Sequence, residues 1–561
     1  MSQDRPWFKN YPEGVAHEVD MDQYRSIVSV FDDAVSKFSQ RPAYSNFGKT
    51  LTFSEIEVHS RDFAAYLLGE LKLKKGDRVA IMMPNCLQYP IAIFAILRAG
   101  LTVVNVNPMY TARELKHQLI DSGASALLMV DNFGHTVQEV AADTPLKQVI
   151  TTGLGDMLGF PKGPIINFVL KYVKKLVPDY SIPDAVRFKD TLTLGRLHKL
   201  PDIDIDAEDI AFLQYTGGTT GVSKGAMLTH RNMVANMQQA STWVGTEMGD
   251  GSEVIITALP LYHIFALTAN ALVFMKLGGL NHLISNPRDM PGFVKELQKT
   301  RFTAITGVNT LFNGLLNTPG IDKVDFSHLR MTLGGGMAVQ RAVAERWKKA
   351  TGVTLVEAYG LTESSPAACM NPMDLKDYNG AIGLPISSTD VCLKDDNGKI
   401  LTTLGEVGEL CIKGPQVMKG YWQRPEETAN AIDKDGWLHT GDLAKMDEGG
   451  FFYIVDRKKD MILVSGFNVY PNEVEDVIAG LEGVLEVAAI GVPDEKSGEA
   501  VKVFIVRKDP ALTAEQVKAH CRENLTAYKQ PRYIEFRDDL PKTNVGKILR
   551  KELRDLPLIK P

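Results

Sequence analysis

Between about Asp32 and Ala350, short apolar runs alternate with longer segments of helical period, and glycines stand at the junctions. The runs RVAIMMP, TVVNVNP and SALLMV have the length and composition of buried strands. The segments LQYPIAIFAILRAG and ARELKHQLIDSG, which lie between them, have the period of helices. This alternation predicts an α/β fold of helix-covered parallel sheets, in which ligands bind at the carboxyl ends of the strands.

Composition limits the kind of protein this is. The chain has 561 residues, more than one hydrophobic core supports, so two or more domains are expected. Its net charge of −6 argues against a nucleic-acid binder and favours small ligands. The five cysteines form no CxxC pair and the eleven histidines no HExxH motif, so we expect reduced thiols and no zinc site. The polar N-terminus is unlike a secretory signal and predicts a cytoplasmic protein. Whether the protein forms a homodimer stays open.

Two segments bear on membrane contact. The longest apolar stretch, YPIAIFAILRAGLTVVNVNP, carries Arg98 in its middle, so we interpret it as a buried helix and a strand, not a membrane span. The segment Pro164 to Pro178, PIINFVLKYVKKLVP, predicts a helix with Lys171, Lys174 and Lys175 opposite an apolar side. Such a helix either covers a sheet, which is the interpretation we favour, or lies on an anionic membrane.

After about Ala381 the chain changes to short β-rich pieces with tight turns, such as DVCLKDDNGKI, where Asn397 and Gly398 fit a hairpin turn. This pattern predicts a small β subdomain over about 381–456. A charged segment, DRKKDM, separates it from a last block with its own strands and helices. We therefore expect an N-terminal domain over 1–456 and a smaller mobile α+β C-terminal domain over 457–561, with a hinge near 456–461.

The stretch YTGGTTGVSKGAMLTH, Tyr215 to His230, follows a predicted strand and precedes a helix that Thr229 would cap. Its bare backbone amides, small hydroxyls and Lys224 favour a concave anion site, whose usual occupant is polyphosphate. The loop has neither the GK[ST] of a Walker A motif nor a GxGxxG pattern. MTLGGG and TLVEAYGLTESS also place small residues after a strand, so three loops are expected to meet at one crevice.

Five stretches, in chain order, resemble motifs of the adenylate-forming superfamily, which contains acyl-CoA synthetases, luciferases and peptide-synthetase adenylation domains. The loop resembles its phosphate motif YTSGTTGxPKG, with Gly217 in place of Ser and Ser223 in place of Pro. YGLTE (359–363), HTGD (439–442), DRKKDMILVSGFNVYPNEVE (456–475) and PKTNVGKILR (541–550) resemble its adenine and magnesium, ribose, hinge and catalytic-lysine motifs. DGWLHTGDLAKMDEGGFFYIVDRKKD looks like the fatty-acyl-CoA synthetase signature, and the whole chain is most similar to bacterial long-chain fatty-acid:CoA ligases.

The resemblance implies a two-step reaction. ATP activates a long-chain fatty acid to an acyl-AMP with release of pyrophosphate, and the thiol of coenzyme A then takes the acyl group, giving acyl-CoA and AMP for fatty-acid uptake and degradation. ATP, Mg²⁺ and coenzyme A are implied. Peripheral contact with the cytoplasmic face of the inner membrane stays open. A medium-chain or aryl-acid CoA ligase stays open as an alternative. A non-catalytic nucleotide-binding scaffold is a further one, although the chain keeps the lysine and hinge motifs that a scaffold does not need.

The resemblance also implies roles for individual residues. The catalytic residues are Lys547, which bridges the carboxylate and the α-phosphate, Thr216, and Glu363, which is also the magnesium ligand. His263 and Phe265 would lie at the carboxylate entrance, with a purely structural buried histidine as an equal alternative, while Lys459 would be the hinge and Gly466 would serve the coenzyme A step. The expected nucleotide contacts are Tyr215, Thr216, Gly217, Gly218, Thr219, Thr220, Gly221, Val222, Ser223, Lys224, Gly225, Ala226, Gly334, Gly335, Gly336, Tyr359, Gly360, Thr362, Asp442 and Arg457.

Overall fold

A computed structural model describes residues 5–216, 223–249, 251–494 and 496–556. The strands are β1 (Pro42–Asn46), β2 (Lys49–Thr52), β3 (Arg78–Met82), β4 (Thr102–Asn105), β5 (Ala126–Val130), β6 (Gln148–Thr152), β7 (Val186–Arg187), β8 (Ile210–Thr216), β9 (Lys224–Thr229), β10 (Val254–Thr257), β11 (Leu280–Leu283), β12 (Ala304–Gly307), β13 (Met331–Gly335), β14 (Leu355–Gly360), β15 (Ala367–Met370), β16 (Leu384–Pro385), β17 (Asp390–Lys394), β18 (Gly408–Lys413), β19 (Leu438–Met446), β20 (Phe452–Arg457), β21 (Ile462–Val464), β22 (Phe467–Val469), β23 (Val484–Asp494), β24 (Gly498–Arg507) and β25 (Tyr533–Arg537).

The helices are α1 (Ile27–Phe38), α2 (Phe53–Gly69), α3 (Gln88–Arg98), α4 (Ala112–Ser122), α5 (Gly134–Val140), α6 (Lys162–Phe168), α7 (Phe188–Gly195), α8 (His230–Val244), α9 (Ile264–Ala266), α10 (Val273–Leu277), α11 (Met290–Leu297), α12 (Asn309–Leu316), α13 (Arg341–Thr351), α14 (Pro425–Ala431), α15 (Pro471–Ala479), α16 (Ala514–Asn524) and α17 (Arg550–Arg554). π-helical turns continue α6 over Val169–Val173 and join α9 to α10 over Leu267–Leu272.

Two large, mostly parallel sheets form the body of the protein. One has the strand order β7-β6-β5-β3-β4-β8-β9 and the other β16-β15-β14-β13-β12-β10-β11-β1-β2. Antiparallel pairing is confined to their edges, at β9 in the first sheet and at β2, β15 and β16 in the second. The prediction of helix-covered parallel sheets is therefore confirmed.

Helices fill the space between and around these sheets. The segment α3 is buried along almost its whole length, and Arg98 Nη1 at its end donates to the Glu57 carboxylate at 3.2 Å and to the Ser60 hydroxyl at 3.1 Å. A helix that is apolar all round must lie inside a protein or a membrane. The prediction of a buried helix followed by a strand is confirmed, and no helix in the described ranges has both the length and the apolar character needed to cross a bilayer.

The rest of the chain forms two smaller sheets. Strands β17-β18-β19-β20 make an antiparallel sheet, and the predicted turn at Asn397 and Gly398 is present, with Gly398 at a φ of +79°. Strands β21 to β25 make a mixed five-stranded sheet with a separate apolar cluster on each face. The helices α15 and α16 pack on one face and α17 contacts the other.

The basic segment differs from its prediction. Its helix begins at Lys162 and its π-helical continuation ends at Val173, so it is displaced and shorter than the expected 164–178. Its inward contacts come from Ile166 and from Asn167, whose amide oxygen accepts a hydrogen bond from the Gly155 N–H at 2.8 Å. On the predicted apolar side, Ile166, Val169, Leu170 and Val177 are partly buried, whereas Ile165, Val173 and Leu176 are exposed, so the interpretation that this side covers a sheet fails for these three. The large exposed apolar side chains of 160–176, with their exposed fractions, are Phe160 (92%), Ile165 (55%), Phe168 (58%), Tyr172 (61%), Val173 (64%) and Leu176 (55%).

Candidate active site

The glycine loop begins and ends in one antiparallel hairpin. Thr216 at the end of β8 and Lys224 at the start of β9 form the last pair of the ladder. Next to this pair, the Ser223 hydroxyl donates a hydrogen bond of 2.6 Å to the Thr216 carbonyl oxygen. The strand β9 was not predicted, and it precedes the helix that Thr229 caps as expected. The predicted contacts of Gly217, Gly218, Thr219, Thr220, Gly221 and Val222 lie outside the described residues.

Three of the predicted nucleotide contacts face the interior of the protein. Tyr215 is buried, and its hydroxyl donates to Asp121 Oδ2 over 2.7 Å. A side chain at Gly225 would come within 3.1 Å of the Tyr215 ring, and Ala226 is fully buried. The Tyr215 and Ala226 side chains therefore pack in the interior and anchor the hairpin, and their contacts with a nucleotide stay a prediction.

The ribose motif is assembled from three elements. Asp442 on β19 is buried; its Oδ2 accepts a 2.6 Å hydrogen bond from the Tyr359 hydroxyl, and its Oδ1 lies 3.1 Å from Arg457 Nε. Tyr359 comes from β14 and Arg457 from the end of β20, so residues predicted from separate motifs meet here. A carboxylate held by two donors is well placed to accept hydrogen bonds from a diol.

The glycines of the expected adenine slot let neighbouring parts of the protein pack closely. A Cβ on Gly334 would lie 2.7 Å from Leu355 Cδ2, too close for a side chain. A Cβ on Gly335 would lie 3.2 Å from the Phe265 ring. Gly336 has a φ of +78°, which favours glycine. A Cβ on Gly360 would lie 1.7 Å from the Pro366 carbonyl oxygen, and Thr362 opens the short helical turn that carries Glu363. These positions therefore require glycine for packing, and their contacts with adenine stay a prediction.

Lys547 reaches this crevice from the C-terminal block. Its Cε would lie 3.1 Å from a Cβ on Gly336, and its backbone N–H donates to the Thr543 hydroxyl at 3.0 Å. The preceding residue, Gly546, accepts a 2.9 Å hydrogen bond from the Thr310 hydroxyl of α12. The amine keeps some solvent contact, yet burial lowers its pKa to about 8, with Arg457 lowering it further and acidic neighbours opposing the shift.

The lowered pKa of Lys547 predicts an alkaline limit on adenylation. Because the amine loses its charge above its pKa of about 8, kcat/KM for acyl-AMP formation should fall about tenfold per pH unit above that value. Measuring pyrophosphate release between pH 6 and about 10 checks this limb. The variant Lys547→Arg should be slow but should lack the limb, since a guanidinium stays charged there. If the wild-type kcat/KM stays constant up to about pH 10, loss of charge on Lys547 does not limit adenylation, and the prediction is contradicted.

The predicted carboxylate entrance lies beside Lys547. Phe265 packs toward Gly335, and the His263 ring nitrogen Nδ1 accepts a long 3.4 Å hydrogen bond from the Phe265 N–H. Burial, with a contribution from the positive charge of Lys547, lowers the pKa of His263 to about 3. The imidazole is therefore neutral at physiological pH, so it offers a carboxylate a hydrogen bond but no charge.

The predicted hinge lies in the turn between β20 and β21, where Lys459 is exposed. Three residues earlier, the buried Asp456 carboxylate accepts a 2.8 Å hydrogen bond from the Asn472 N–H and lies 3.6 Å from Arg550 Nη1. Burial raises the pKa of Asp456 to about 6, although Arg550 opposes the shift. Gly466 lies at the tip of the β21–β22 hairpin with open space around it, and it does not join the crevice in this arrangement.

The residues present fit a magnesium ion that arrives with a nucleotide. Glu363 Oε1 accepts a 2.6 Å hydrogen bond from the Tyr421 hydroxyl, and no partner of Oε2 lies in the part of the chain that the structure describes. Within the same ranges no group of three or more His, Cys, Asp or Glu forms a ready metal site. Mg²⁺ is commonly held by one or two carboxylates, phosphates and water, so a single carboxylate near a phosphate loop suits it.

Several residues of the site could not be found from the sequence. Asp121 accepts hydrogen bonds from the Tyr215 hydroxyl and, at 2.8 Å, from Arg424. Tyr421 donates to Glu363, and Lys224 Nζ lies 4.4 Å from the centroid of the Tyr421 ring. Thr310 fixes the lysine loop. These residues belong to no motif that carries recognisable chemistry, and their contacts join distant parts of the chain.

The family model of AMP-binding enzymes matches residues 31–422, and that of the AMP-binding enzyme C-terminal domain matches residues 473–547. The chain belongs to the AMP-binding enzymes, and it has the adenylate-forming fold, an α/β body with a smaller C-terminal domain. ATP and coenzyme A are substrates of the ligases in this family.

Individual proteins are similar to this chain over nearly its whole length. The chain is 58% identical over 549 residues to a long-chain-fatty-acid–CoA ligase of Salmonella typhimurium, covering 98% of each chain. It is 40% identical over 557 residues to the protein of the same name from Bacillus subtilis, covering 99% of this chain and 98% of the other. Among solved structures, ATP-bound MatB from Rhodopseudomonas palustris is 29% identical with a TM-score of 0.80, covering 94% of this chain and 98% of that one.

Proposed function

We propose that this chain is an ATP-dependent long-chain fatty-acid:CoA ligase that forms AMP. The observation that carries the proposal is the 58% identity to a long-chain-fatty-acid–CoA ligase over 98% of both chains. In the first step a carboxylate oxygen attacks the α-phosphorus of ATP, forming acyl-AMP and releasing pyrophosphate. In the second step the thiol sulfur of coenzyme A attacks the acyl carbon, loses its proton and releases AMP.

Each step needs charge to be neutralised where it develops, and we assign that work to residues of the crevice. Lys547 bridges the fatty carboxylate and the α-phosphate, while Thr216 and Lys224 bind the outer phosphates. Asp442, supported by Tyr359 and Arg457, holds the ribose. Magnesium bound at Glu363 would supply further positive charge to the phosphates when ATP is present.

The second step requires the C-terminal domain to turn about Lys459 and bring the Gly466 hairpin to the thiol. Two features support this proposal. Lys547 occupies the crevice in the present arrangement, where it would obstruct the thiol, and the hairpin exposes apolar side chains, Leu463 by 48% and Phe467 by 56%. Exposed apolar residues on a small hairpin are expected where another part of the protein covers them in a second arrangement.

A chain-length series with coenzyme A tests the function. Each methylene buried in an acyl tunnel contributes about 0.8 kcal/mol, so kcat/KM should rise more than about 10²-fold from octanoate to palmitate. Benzoate and ferulate serve as aryl controls. A maximum at medium-chain or aryl acids would reject the long-chain assignment in favour of the alternative, while release of pyrophosphate without any acyl-CoA would reject ligase activity.

We further propose that the enzyme is cytoplasmic and contacts the cytoplasmic face of the inner membrane through the segment 160–176. Exposed apolar side chains there lie beside the exposed Lys162, Lys171, Lys174 and Lys175. Apolar groups that enter the headgroup region, next to cations that meet anionic lipids, are the features of an interfacial helix. Contact with the membrane would bring the enzyme to where its substrate dissolves.

Reversing three charges should release the enzyme from anionic vesicles. Because each lysine near such a surface contributes about 1 kcal/mol, the variant carrying Lys171→Glu, Lys174→Glu and Lys175→Glu should partition at least about 10²-fold less. Flotation with vesicles rich in phosphatidylglycerol measures this. A matched triple variant at the exposed Lys349, Lys508 and Lys518, also to Glu, should float like the wild type. Equal flotation of both variants would remove the segment from the proposal.

A further inference from the structure

Tyr421 contacts two charged residues, Glu363 and Lys224, that are expected to face the triphosphate. Its hydroxyl donates a 2.6 Å hydrogen bond to Glu363 Oε1, and the ammonium of Lys224 lies 4.4 Å from the centroid of its ring. Both distances are short enough for direct interaction, the first a charge-assisted hydrogen bond and the second a cation–π contact. One side chain therefore contacts both the carboxylate and the ammonium.

The backbone holds this phenol in place. Tyr421 bridges Ala226 on β9, and on either side of it the Met227 N–H donates to the Gly420 carbonyl and the Trp422 N–H to the Gly225 carbonyl, both at 2.8 Å. The Tyr421 N–H donates to the Thr428 hydroxyl at 2.9 Å. The side chain is only 8% exposed, so its position is fixed by the same strand that ends the glycine loop.

The two charged groups contact Tyr421 and not each other. Lys224 and Glu363 carry opposite charges close to the same side chain, yet no ion pair joins them in the described structure. A direct pair would satisfy the ammonium with the carboxylate and withdraw both from a ligand. Because these two residues do not pair, the ammonium remains available to phosphate oxygens and Glu363 Oε2 to a cation.

We propose that Tyr421 is a positioning residue for magnesium–ATP, orienting the Glu363 carboxylate through its hydroxyl and seating the Lys224 ammonium on its ring. This rests on the proposed function, because it assumes that ATP and a divalent cation bind in the crevice. The two contacts are separable by mutation, since phenylalanine keeps the ring and removes the hydroxyl, whereas leucine removes both.

Calorimetric binding of ATP without fatty acid separates these effects. In Tyr421→Phe, magnesium–ATP should bind about tenfold more weakly, the usual effect of one lost hydrogen bond to a charged group, while ATP in EDTA should bind as in the wild type. In Tyr421→Leu both forms should bind more weakly. Tyr453→Phe is the matched control, because its hydroxyl donates to Asp447 Oδ2 at 3.0 Å in the sheet β17–β20.

A double-mutant cycle with Glu363→Gln completes the test. If the hydroxyl acts through the carboxylate, Tyr421→Phe should weaken magnesium–ATP binding no further in the Glu363→Gln background. Tyr421→Phe that binds magnesium–ATP like the wild type, or that weakens ATP equally with and without the metal, would overturn the proposal. Failure of the wild type to bind ATP would instead reject the proposed function, and thermal melting of each variant separates loss of folding from either outcome.

Discussion

Replacing Lys547 with methionine should slow formation of palmitoyl-AMP by about 10² to 10³, the effect of removing one charged donor from a site that excludes water. Methionine is close to lysine in length and fills the space beside Gly336, so the loss reports the charge and not the packing. Pyrophosphate release with palmitate and ATP measures this step alone. Transfer of the acyl group from added palmitoyl-AMP to coenzyme A should be largely kept.

The matched control for this prediction is Lys542→Met. Lys542 lies in the same segment, but its amine pairs with Glu486 at 2.8 Å and with Asp539 instead of entering the crevice. It should adenylate within a fewfold of the wild type. Unchanged adenylation by Lys547→Met would mean that the amine seen beside the glycine run takes no part in the first step, and the assigned mechanism would be rejected.

The variant Lys459→Pro should slow acyl transfer more than adenylation, the opposite of the effect expected for Lys547→Met. Proline fixes φ near −65°, so Lys459→Pro should hinder turning of the C-terminal domain while leaving the present arrangement able to adenylate. We expect adenylation within a fewfold of the wild type and acyl transfer to coenzyme A slowed by about 10², because small misplacements of reacting groups have effects of that size. Single-turnover assays of the two half-reactions give both rates.

Lys459→Ala separates the backbone from the side chain in this experiment. Alanine removes the ammonium but keeps the freedom of φ, so both half-reactions should continue at close to the wild-type rates. Equal losses of both half-reactions in Lys459→Pro would indicate a general disturbance of the fold and would contradict a pivot at this position.

The periodic parts of the fold were predictable because they report on burial. The strand Arg78–Met82 and the helix Gln88–Arg98 are apolar because both are buried. Their apolar pattern can be recognised within a short stretch of sequence. The strand Lys224–Thr229 could not be predicted in the same way. Its sequence, KGAMLT, has little strand preference, and it is held by pairing with β8 on one side and with Tyr421 and its neighbours on the other.

The candidate site, like the fold, could be predicted from the sequence only in part. Motifs in the sequence pointed to Asp442, Tyr359 and Arg457, and the structure brings the three side chains together. Their roles in binding ribose stay predictions. Tyr421 and Asp121 gave no signal, because a tyrosine or aspartate that contacts a distant carboxylate or phenol resembles any other in a sequence. Contacts of this kind depend on how a helix, a short helical turn and a loop from distant parts of the chain meet.

Asp456 has a consequence for the turning of the C-terminal domain. It precedes Lys459, as does the Arg457 N–H that donates to its Oδ1 at 2.7 Å, whereas the Asn472 amide and the Arg550 guanidinium follow the pivot in the chain. A pivot at Lys459 would therefore carry away two groups that cover the carboxylate and would expose it to water. Because burial is what raises the pKa of Asp456 to about 6, exposure would lower that pKa and release the proton, so mild acidity would oppose the conformer that meets coenzyme A.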